Sequence, residues 1–437
     1  MQFEKVCVLG LGYIGLPTAS TFASHGLHVV GVDANEEVIS TLLSGGIHIS
    51  EPGLHDLVRE ALNSGRLKVS RTPETADAFI IAVPTPFKKE QRGSYHGQSY
   101  RLADMQAVKS ASEAIVPHLR RGNLVVLEST SPPRTTVDTV QPILERSGLK
   151  AGIDFHLAYT PERVLPGQII RELTENARVI GGIDRPSAEA GRDLYAHFVK
   201  GEIIITDSTT AEMVKLMENT YRDINLAIAN EFSQLADRFG IDIWEAIRIA
   251  NLHPRVKILN PGPGVGGHCI SVDPWFLVEA APDITELISA ARQVNDKQPH
   301  FVFDITKRML GDDLTGKRIA LLGLAFKPDV DDLRESPAIE VAKMLSQAGA
   351  IVSAYEPNDK NADITGVKTT KTLADAIANA ELLILTVGHK EFKELDAFKL
   401  RDITPARLAL DTVGGWDRKT WSEAGMKLVR LGVGNPR

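Results

Sequence analysis

Cysteine is scarce in this sequence. The 437 residues include only Cys7 and Cys269, and two distant thiols cannot form the disulfide framework of a secreted scaffold. No run reaches the roughly 18 apolar residues of a membrane span, and no charged segment followed by an apolar core marks a signal peptide. We therefore expect a cytoplasmic protein that does not bind a membrane.

An excess of basic residues is also lacking. Lysine and arginine number 49 against 56 acidic residues, for a net charge of −7, which does not favour nucleic-acid binding. The hydrophobic fraction of 43% and the charged fraction of 24% are those of an ordinary globular protein. At roughly 150 residues per domain, the length predicts about three domains.

Short apolar runs alternate with helical patterns early in the chain and again after Thr315. Their continuous apolar character predicts parallel strands that are buried on both faces. The predicted strands are 6–9, 29–32, 79–83, 124–127, 179–182, 318–322, 351–355, 382–387 and 408–411.

Between these two regions the pattern is helical. No glycine or proline interrupts residues 207–239, which predicts one helix about three times the ordinary length. Ser208 or Thr209 would cap it, with Glu212 completing a capping box. Further helices are predicted at 244–250 and 284–310.

The predicted fold class is therefore α/β, with two Rossmann-like doubly wound domains joined by a long central helix and a helical connector. The predicted domains are 1–203, which binds the dinucleotide, 204–312, which is helical, and 313–437, which is the second α/β domain.

A glycine motif opens the first helix. Gly10, Gly12 and Gly15 form a GxGxxG pattern directly after the first strand. Such glycines allow a tight turn, close approach of a pyrophosphate, and packing of helix on strand. Asp33 ends the second strand, where a carboxylate would hold a ribose 2′-hydroxyl and repel a 2′-phosphate. This context predicts NAD rather than NADP; the alternative is a glycine-rich turn without a ligand.

Residues 83–86 and 128–132 follow two further predicted strands. The carboxyl ends of strands line the ligand crevice of an open parallel sheet, so these loops are candidates for ligand contact. The alternative is that they are proline-punctuated loops with capping hydroxyls.

Lys215, Asn219 and Arg222 share one face of the long helix, at spacings of i, i+4 and i+7. A lysine and an asparagine can hold a substrate hydroxyl or orient water, and an arginine can meet a phosphate. A solvated polar stripe is the alternative.

The segment 261–275 carries Cys269 on a glycine-rich loop. Its four glycines between 262 and 267 would leave backbone N–H groups free to cradle phosphate oxygens, and a nearby lysine would activate the thiol as a nucleophile. His268 beside it has no cluster of partner ligands, so no metal is predicted. Cys7 is expected to be a small apolar residue of the first strand.

A dinucleotide fold with one nucleophilic cysteine predicts oxidation beyond the alcohol level. An aldehyde held as a thiohemiacetal can lose a second hydride, and the resulting thioester can be hydrolysed. The predicted reaction converts a CH₂OH group to a carboxylate with two NAD⁺.

Taken in order, these motifs resemble the UDP-glucose/GDP-mannose dehydrogenase family over essentially the whole chain. The landmarks are 10–15, 83–86, 128–130, 161–163, the 215/219 pair, 264–273, 326–329 and 333–336. Within the family, the bacterial branch that oxidises UDP-N-acetyl-D-mannosamine is most similar at 161–167, 251–256 and 262–269.

This resemblance implies roles for individual residues. NAD contacts would come from Gly10, Gly12, Tyr13, Ile14, Gly15, Asp33, Thr85, Thr130 and, from the C-terminal domain, Arg334. Substrate contacts would come from Arg163, Val164, Lys215, Asn219, Arg222, His253, Arg255, Gly266 and Lys327. The catalytic set would be the nucleophile Cys269, the acid/base residue Lys215, and Asn219, Asp273, Glu162 and Thr130, which order water or assist thioester hydrolysis.

The resemblance also implies a partner subunit. His253 and Arg255 would enter the site of the neighbouring copy, so a homodimer or higher oligomer is expected. The C-terminal domain would bind the UDP half of the substrate, and the uronate product would feed synthesis of a surface polysaccharide.

Three alternatives stay open at this stage. A β-hydroxyacid dehydrogenase of the 6-phosphogluconate type also joins a Rossmann domain to a Lys-x-x-x-Asn helix, but it has no use for Cys269. A non-catalytic NAD-binding regulator would leave Lys215, Asn219 and Cys269 unexplained. Within the family, UDP-N-acetylglucosamine is the alternative substrate.

Overall fold

The computed structural model describes residues 1–49, 51–165, 167–359 and 361–434. Pro166, within the 161–167 motif, and the last three residues of the predicted C-terminal domain lie outside that description. The chain divides into two compact units. The N-terminal unit comprises Met1–Glu218 and Trp275–Ile284, and the C-terminal unit comprises Asn219–Pro274 and Thr285–Arg437. The division into three domains made from the sequence stays a prediction.

The N-terminal unit is built on a sheet of eight strands in the order β10-β9-β8-β7-β4-β1-β2-β3. The strands are β1 Lys5–Leu9, β2 His28–Val32, β3 Leu67–Ser70, β4 Ala78–Ile81, β5 Phe87–Tyr95, β6 Gln98–Ala103, β7 Leu124–Leu127, β8 His156–Tyr159, β9 Arg178–Gly182 and β10 Ile203–Asp207. Strands β5 and β6 form a separate antiparallel hairpin. All neighbours in the large sheet are parallel except β8 and β9, which pair antiparallel through Ala158 and Gly182.

Successive residues of β1 face two different cores. Val6 and Val8 pack into one apolar cluster, and Cys7 and Leu9 pack into another on the opposite face. This is the two-sided burial expected of parallel strands covered by helices. Cys7 is fully buried, and that burial raises the pKa of its thiol to about 11, so the prediction that it is a small apolar core residue is confirmed.

The C-terminal unit holds a second, six-stranded sheet in the order β13-β12-β11-β14-β15-β16, with every pair parallel. Its strands are β11 Arg318–Leu322, β12 Ile351–Tyr355, β13 Lys368–Thr370, β14 Leu382–Leu385, β15 Leu408–Asp411 and β16 Lys427–Arg430. Apolar clusters cover this sheet on both faces as well.

Helices alternate with the strands in both units. They are α1 Gly15–Ser24, α2 Glu36–Leu43, α3 Leu54–Asn63, α4 Gln106–Ile115, α5 Gln141–Leu144, α6 Ile169–Glu175, α7 Arg185–Tyr195, α8 Ser208–Phe239, α9 Ile243–Ala250, α10 Asp273–Ala280, α11 Glu286–Leu310, α12 Pro337–Gln347, α13 Leu373–Ile377, α14 Lys390–Lys393, α15 Ala397–Ile403 and α16 Arg418–Glu423. No helix within the described ranges is long and apolar enough to cross a membrane.

The predicted class is confirmed: two Rossmann-like α/β domains are joined by one long helix, α8. Its cap, however, was predicted wrongly. Asp207 is the capping residue, because its Oδ1 accepts from the Thr210 amide at 2.9 Å. Glu212 makes no capping box; its Oε1 accepts from the backbone amide of Thr136 at 2.8 Å and from the Thr136 hydroxyl at 2.6 Å.

Candidate active site

The glycine motif forms a tight turn between β1 and α1. Gly10 has a φ of +95°, and its amide donates to the Val32 carbonyl at 2.8 Å. A Cβ on Gly15 would lie 1.8 Å from the Gly10 carbonyl oxygen, whereas a Cβ on Gly12 would meet nothing within 4 Å. Gly15 is therefore required by packing, and Gly12 leaves open space beside the loop, as close approach of a pyrophosphate requires.

Asp33 is fixed to this loop by its own carboxylate. Its Oδ2 accepts from the Leu11 amide at 2.9 Å and its Oδ1 accepts from the Asn35 amide at 2.8 Å. The ring of His48 bonds the Leu11 carbonyl at 2.9 Å. Sequence reasoning missed His48, which lies in a loop without a motif and acts only through a backbone oxygen.

The two proline-containing loops that follow β4 and β7 are joined to each other. The Thr85 hydroxyl donates to the Thr130 carbonyl at 2.7 Å, and the Ser129 hydroxyl donates to the Val83 carbonyl at 2.7 Å. Thr85 and Thr130, both predicted to contact NAD, are thus held side by side at the edge where the strands end. Tyr13 and Ile14 lie half-buried at the start of α1.

Lys215 and Glu162 are brought together in the N-terminal unit. The Lys215 ammonium donates to the Glu162 backbone carbonyl at 2.7 Å, and both residues are buried. Arg163 donates to the Glu218 carboxylate at 2.6 Å and to the Ala177 carbonyl at 2.8 Å. Val164 packs against the core of the unit.

A buried ionic cluster lies behind Glu162, and the sequence motifs did not predict it. Arg178 donates to Glu162 Oε2 at 2.8 Å and to Glu128 Oε1 at 3.2 Å. The Tyr195 hydroxyl donates to the same Glu128 oxygen at 3.1 Å. Burial raises the pKa of Glu128 to about 7 against the opposing effect of Arg178. The available signal was an arginine at the start of an otherwise apolar strand, β9.

The loop that carries Cys269 belongs to the C-terminal unit, and its glycines are required mainly by packing. A Cβ on Gly266 would lie 2.4 Å from the Glu335 carbonyl oxygen, and one on Gly267 would lie 2.7 Å from the Phe326 ring. The Gly267 amide donates to the Arg334 carbonyl at 3.0 Å. The expectation of free N–H groups along this loop is thus wrong at Gly267 and also at Gly262, whose amide donates to the Asn230 side chain at 3.0 Å.

Asn219 and Asp273 are brought together beside this loop. The Asn219 amide nitrogen donates to Asp273 Oδ2 at 2.5 Å, and Asp273 is 2% exposed. The amides of Val272 and Asp273 donate to the Cys269 carbonyl at 2.9 and 2.8 Å. One turn at the start of α10 therefore positions both the half-buried thiol and the carboxylate.

His268 is tied to the segment after β11. Its Nδ1 lies 3.3 Å from Asp332 Oδ2 and 2.9 Å from Arg334 Nη2. Burial lowers the pKa of His268, but hydrogen bonds to Asp332 and Cys269 outweigh it and raise the pKa to about 9. Arg334 also forms an ion pair with Asp332 at 2.7 Å; its predicted contact with NAD stays a prediction.

The remaining predicted substrate residues lie at the surface of the C-terminal unit. Arg222, His253 and Arg255 are exposed, and the Arg255 amide donates to the His253 ring at 3.3 Å. Lys327 lies with its ammonium 5.8 Å from the centre of the Phe326 ring. Within the described ranges, no group of three His, Cys, Asp or Glu side chains is placed to hold a metal ion.

Three family models match consecutive parts of the chain. They describe the NAD binding, central and UDP binding domains of the UDP-glucose/GDP-mannose dehydrogenase family and match residues 4–199, 209–297 and 320–418. A UDP-N-acetyl-D-mannosamine dehydrogenase of Methanococcus maripaludis is 46% identical over 99% of this chain and 98% of its own length.

The chain belongs to the UDP-glucose/GDP-mannose dehydrogenase family. An NDP-N-acetyl-D-galactosaminuronic acid dehydrogenase of Ralstonia nicotianae is 46% identical over 96% of this chain and 98% of its own. The structure of a UDP-D-ManNAc dehydrogenase from Pyrococcus horikoshii superposes with a TM-score of 0.89 at 38% identity, covering 99% of this chain and 100% of that one. This member of the family is a nucleotide-sugar dehydrogenase with NAD as its cofactor and a UDP-sugar as its substrate.

A pair of alanine variants separates the packing role of Gly15 from the role of Gly12 in NAD binding. We expect Gly15→Ala to lower the free energy of unfolding by about 1–3 kcal/mol, because its Cβ collides with backbone. Gly12→Ala should keep the wild-type stability, since its Cβ would meet nothing within 4 Å. It should weaken NAD binding, because the Cβ would occupy space that the pyrophosphate has to enter. Urea denaturation and NAD titration calorimetry measure the two effects; equal stability of both variants would contradict the packing argument.

The ion pair of His268 predicts a pH-dependent contribution to stability. A histidine whose pKa is raised from 6.5 to about 9 stabilises the fold fully below about pH 6.5, and the contribution is lost as the pH rises through about 9. The stability difference between wild type and His268→Gln should therefore shrink from pH 6.5 to above pH 9. His300→Gln, at an exposed histidine of α11, is the control; a difference that stays constant with pH would refute the ion pair.

Proposed function

We propose that this dehydrogenase oxidises the C6 hydroxymethyl group of UDP-N-acetyl-D-mannosamine to UDP-N-acetyl-D-mannosaminuronate, a four-electron reaction that uses two NAD⁺. The observation that carries the mechanism is Cys269, a half-buried thiol on the same turn as the Asp273–Asn219 pair. A single oxidation of an alcohol needs no nucleophile, whereas a second one needs a covalent adduct that can lose another hydride.

NAD⁺, when bound, accepts one hydride in each of the two oxidations. In the first, Lys215 acts in its neutral amine form and takes the proton of the C6 hydroxyl, and an aldehyde results. The Cys269 thiolate then adds to the aldehyde carbon, and the oxyanion of the resulting thiohemiacetal gives up the second hydride and becomes a thioester. Water attacks the thioester and the carbon–sulfur bond breaks. One proton of the water passes to Glu162 and the other to the departing thiolate, so the products are the carboxylate and the Cys269 thiol.

Two carboxylates are proposed to control water around these steps. Asp273, oriented by Asn219 at 2.5 Å, would order a water near C6. Glu162, with its carboxylate held by Arg178 at 2.8 Å, would assist the attack of water on the thioester. Between turnovers Cys269 must not be oxidised to a disulfide, which favours the reducing environment of a cytoplasm.

The choice of sugar is supported by the relatives. The similar proteins from Methanococcus maripaludis and Pyrococcus horikoshii carry the name of the mannosamine enzyme. The similar protein from Ralstonia nicotianae is named for N-acetylgalactosaminuronic acid, which makes UDP-N-acetylgalactosamine the second candidate. The uronate product would supply synthesis of a surface polysaccharide.

The substrate is tested by offering the purified enzyme one sugar at a time. We expect kcat/KM for UDP-N-acetyl-D-mannosamine to exceed that for UDP-N-acetylglucosamine, UDP-N-acetylgalactosamine and UDP-glucose by at least ~100-fold, which is below the ~10⁴-fold that a site hydrogen-bonded to a substrate group can reach. NADH absorbance gives the rates. A preference for UDP-N-acetylglucosamine or UDP-N-acetylgalactosamine would show that the proposed substrate is wrong, whereas the proposed mechanism would stand.

We further propose that the enzyme acts as a homodimer through an apolar stripe on α8. In the C-terminal unit Tyr221, Ile228, Phe232, Leu235 and Phe239 recur at helical spacing and are between 39% and 72% exposed. A stripe of this kind on a stable helix is a candidate for an isologous contact with a second copy. The exposed His253 and Arg255 would then reach the partner's substrate.

Subunit complementation tests this assignment. Arg255→Ala and Cys269→Ser homodimers should each be inactive. After the two are unfolded and refolded together, random pairing should restore about a quarter of wild-type activity, since one site of each mixed dimer then has its own Cys269 and the partner's arginine. The same mixture of Lys215→Ala with Cys269→Ser is the control and should stay inactive. Absence of recovery in the first mixture would show that Arg255 acts within its own chain.

A further inference from the structure

A single guanidinium lies between two carboxylates in the interior of the N-terminal unit. Arg178 bonds Glu162 at 2.8 Å through one nitrogen and Glu128 at 3.2 Å through another. The exposed fractions of the three side chains are 5%, 8% and 0%. The Tyr195 ring covers the guanidinium, with its centre 4.4 Å from Cζ. The three side chains are almost entirely shielded from bulk solvent, so each charge in the cluster has to be balanced mainly by protein groups.

The charges do not balance if both acids are ionised. Two carboxylates and one guanidinium leave one negative charge, and isolated buried charge is expensive. The other charged groups that face the cluster are engaged elsewhere. Lys215 bonds the peptide oxygen of Glu162 rather than a carboxylate, and Arg163 pairs with Glu218. A proton on one of the two acids removes the excess charge.

Hydrogen-bond partners decide which acid carries that proton. Both Glu162 oxygens accept from strong donors, the Arg178 guanidinium at 2.8 Å and the Arg163 amide at 2.6 Å, and this favours the ionised form. In Glu128 both donors, Arg178 and Tyr195, meet the same oxygen, Oε1. Its Oε2 is buried without a hydrogen-bond partner among the described residues. An ionised Glu128 would leave a charged oxygen without a donor, which costs more than the neutral hydroxyl that a proton on this oxygen would form.

We propose that Glu128 takes up the proton that this cluster requires, so that Glu162 stays ionised and available as a base for thioester hydrolysis. Glu128 and Arg178 are thereby positioning residues that act through Glu162. This role rests on the proposed function of Glu162, whereas the location of the proton does not. The direction of the pKa of Glu128, raised by burial to about 7, agrees with the hydrogen-bond geometry.

A consequence for the reaction follows from Coulomb's law. When the pH rises through about 7, Glu128 ionises and places a second negative charge against Arg178. The positive charge of Arg178 is then shared between two carboxylates, so it offsets less of the negative charge that Glu162 presents to the attacking water. The rate of thioester hydrolysis should therefore rise across this pH range.

The proton is located by infrared difference spectroscopy. Wild-type enzyme without substrate, compared at about pH 6 and about pH 8, should lose the carbonyl band of a buried carboxylic acid. Glu128→Gln should lack that band, and Glu162→Gln should keep it. A band that persists in Glu128→Gln and disappears in Glu162→Gln would place the proton on the wrong acid and overturn the proposal, as would its absence from the wild type.

The kinetic role is measured by the pH profile of kcat. In wild type, kcat for the full oxidation should rise through a transition near pH 7, and in Glu128→Gln this transition should vanish. Tyr195→Phe, which keeps both acids, should move it to higher pH, because the ionised Glu128 loses a donor. This second variant keeps the test decisive if Glu128→Gln does not fold. Arg178→Lys should lower kcat by at least ~10-fold with little change in KM.

The two readouts separate the possible failures. An unchanged pH profile in Glu128→Gln, together with the expected infrared result, would show that the proton does not govern hydrolysis and would overturn the positioning role. Absence of any uronate product from wild type would instead refute the proposed function, and the infrared bands would still decide where the proton lies.

Discussion

Parallel pairing of strands determines where chemistry can occur in the N-terminal unit. Strand β1 pairs with β2 and with β4, and β4 pairs with β7. Parallel strands end at the same edge of a sheet, and these four are neighbours in the order β7-β4-β1-β2. Gly10, Asp33, Thr85 and Thr130 each follow the end of one of them. Leu11 and Asp33, which are 22 positions apart, are thereby held by a hydrogen bond of 2.9 Å, and Thr85 and Thr130, which are 45 positions apart, by one of 2.7 Å.

In the C-terminal unit an acidic residue also follows a parallel strand, but there it is buried. Glu356 follows β12 as Asp33 follows β2, and its Oε2 accepts from the amides of Leu324 and Ala325 at 2.7 and 2.9 Å. This carboxylate is 2% exposed and also bonds the buried His389. The same strand-end acid thus stabilises a loop in the C-terminal unit, whereas in the N-terminal unit Asp33 lies half-exposed beside the nucleotide loop.

The sequence predicted the fold well where local physics dominates. Buried parallel strands such as β1 and β11 are continuous apolar runs, and α8 lacks any helix breaker, so both kinds of element could be identified directly. The four edge strands β3, β10, β13 and β16 and the hairpin β5–β6 were missed, because partly exposed strands mix polar and apolar residues and depend on their neighbours for pairing. The buried strand β8 was missed as well, because it has only four residues and begins with a histidine. The cap of α8 was predicted wrongly because Glu212 accepts a hydrogen bond from Thr136, a contact that only the fold creates.

The motifs of the candidate site could be predicted from the sequence, but the contacts that join their residues could not. Spacing identified the glycine loop, Lys215, Asn219 and Cys269. It did not reveal that Gly266 and Gly267 pack against the 326–335 segment, or that Glu128, Arg178 and Glu162 share one buried cluster. Each of these depends on residues far apart in the chain, and the identity of such partners is set by tertiary contact rather than by local pattern.

The central claim is that one active site carries an alcohol to a carboxylate through Cys269. The most direct test is the number of NADH formed per UDP-sugar consumed by wild-type enzyme, with the product identified by mass spectrometry. The account predicts two NADH for each sugar and a uronate product, with no free aldehyde accumulating. One NADH per sugar, with the aldehyde released, would contradict it and leave Cys269 without a catalytic role.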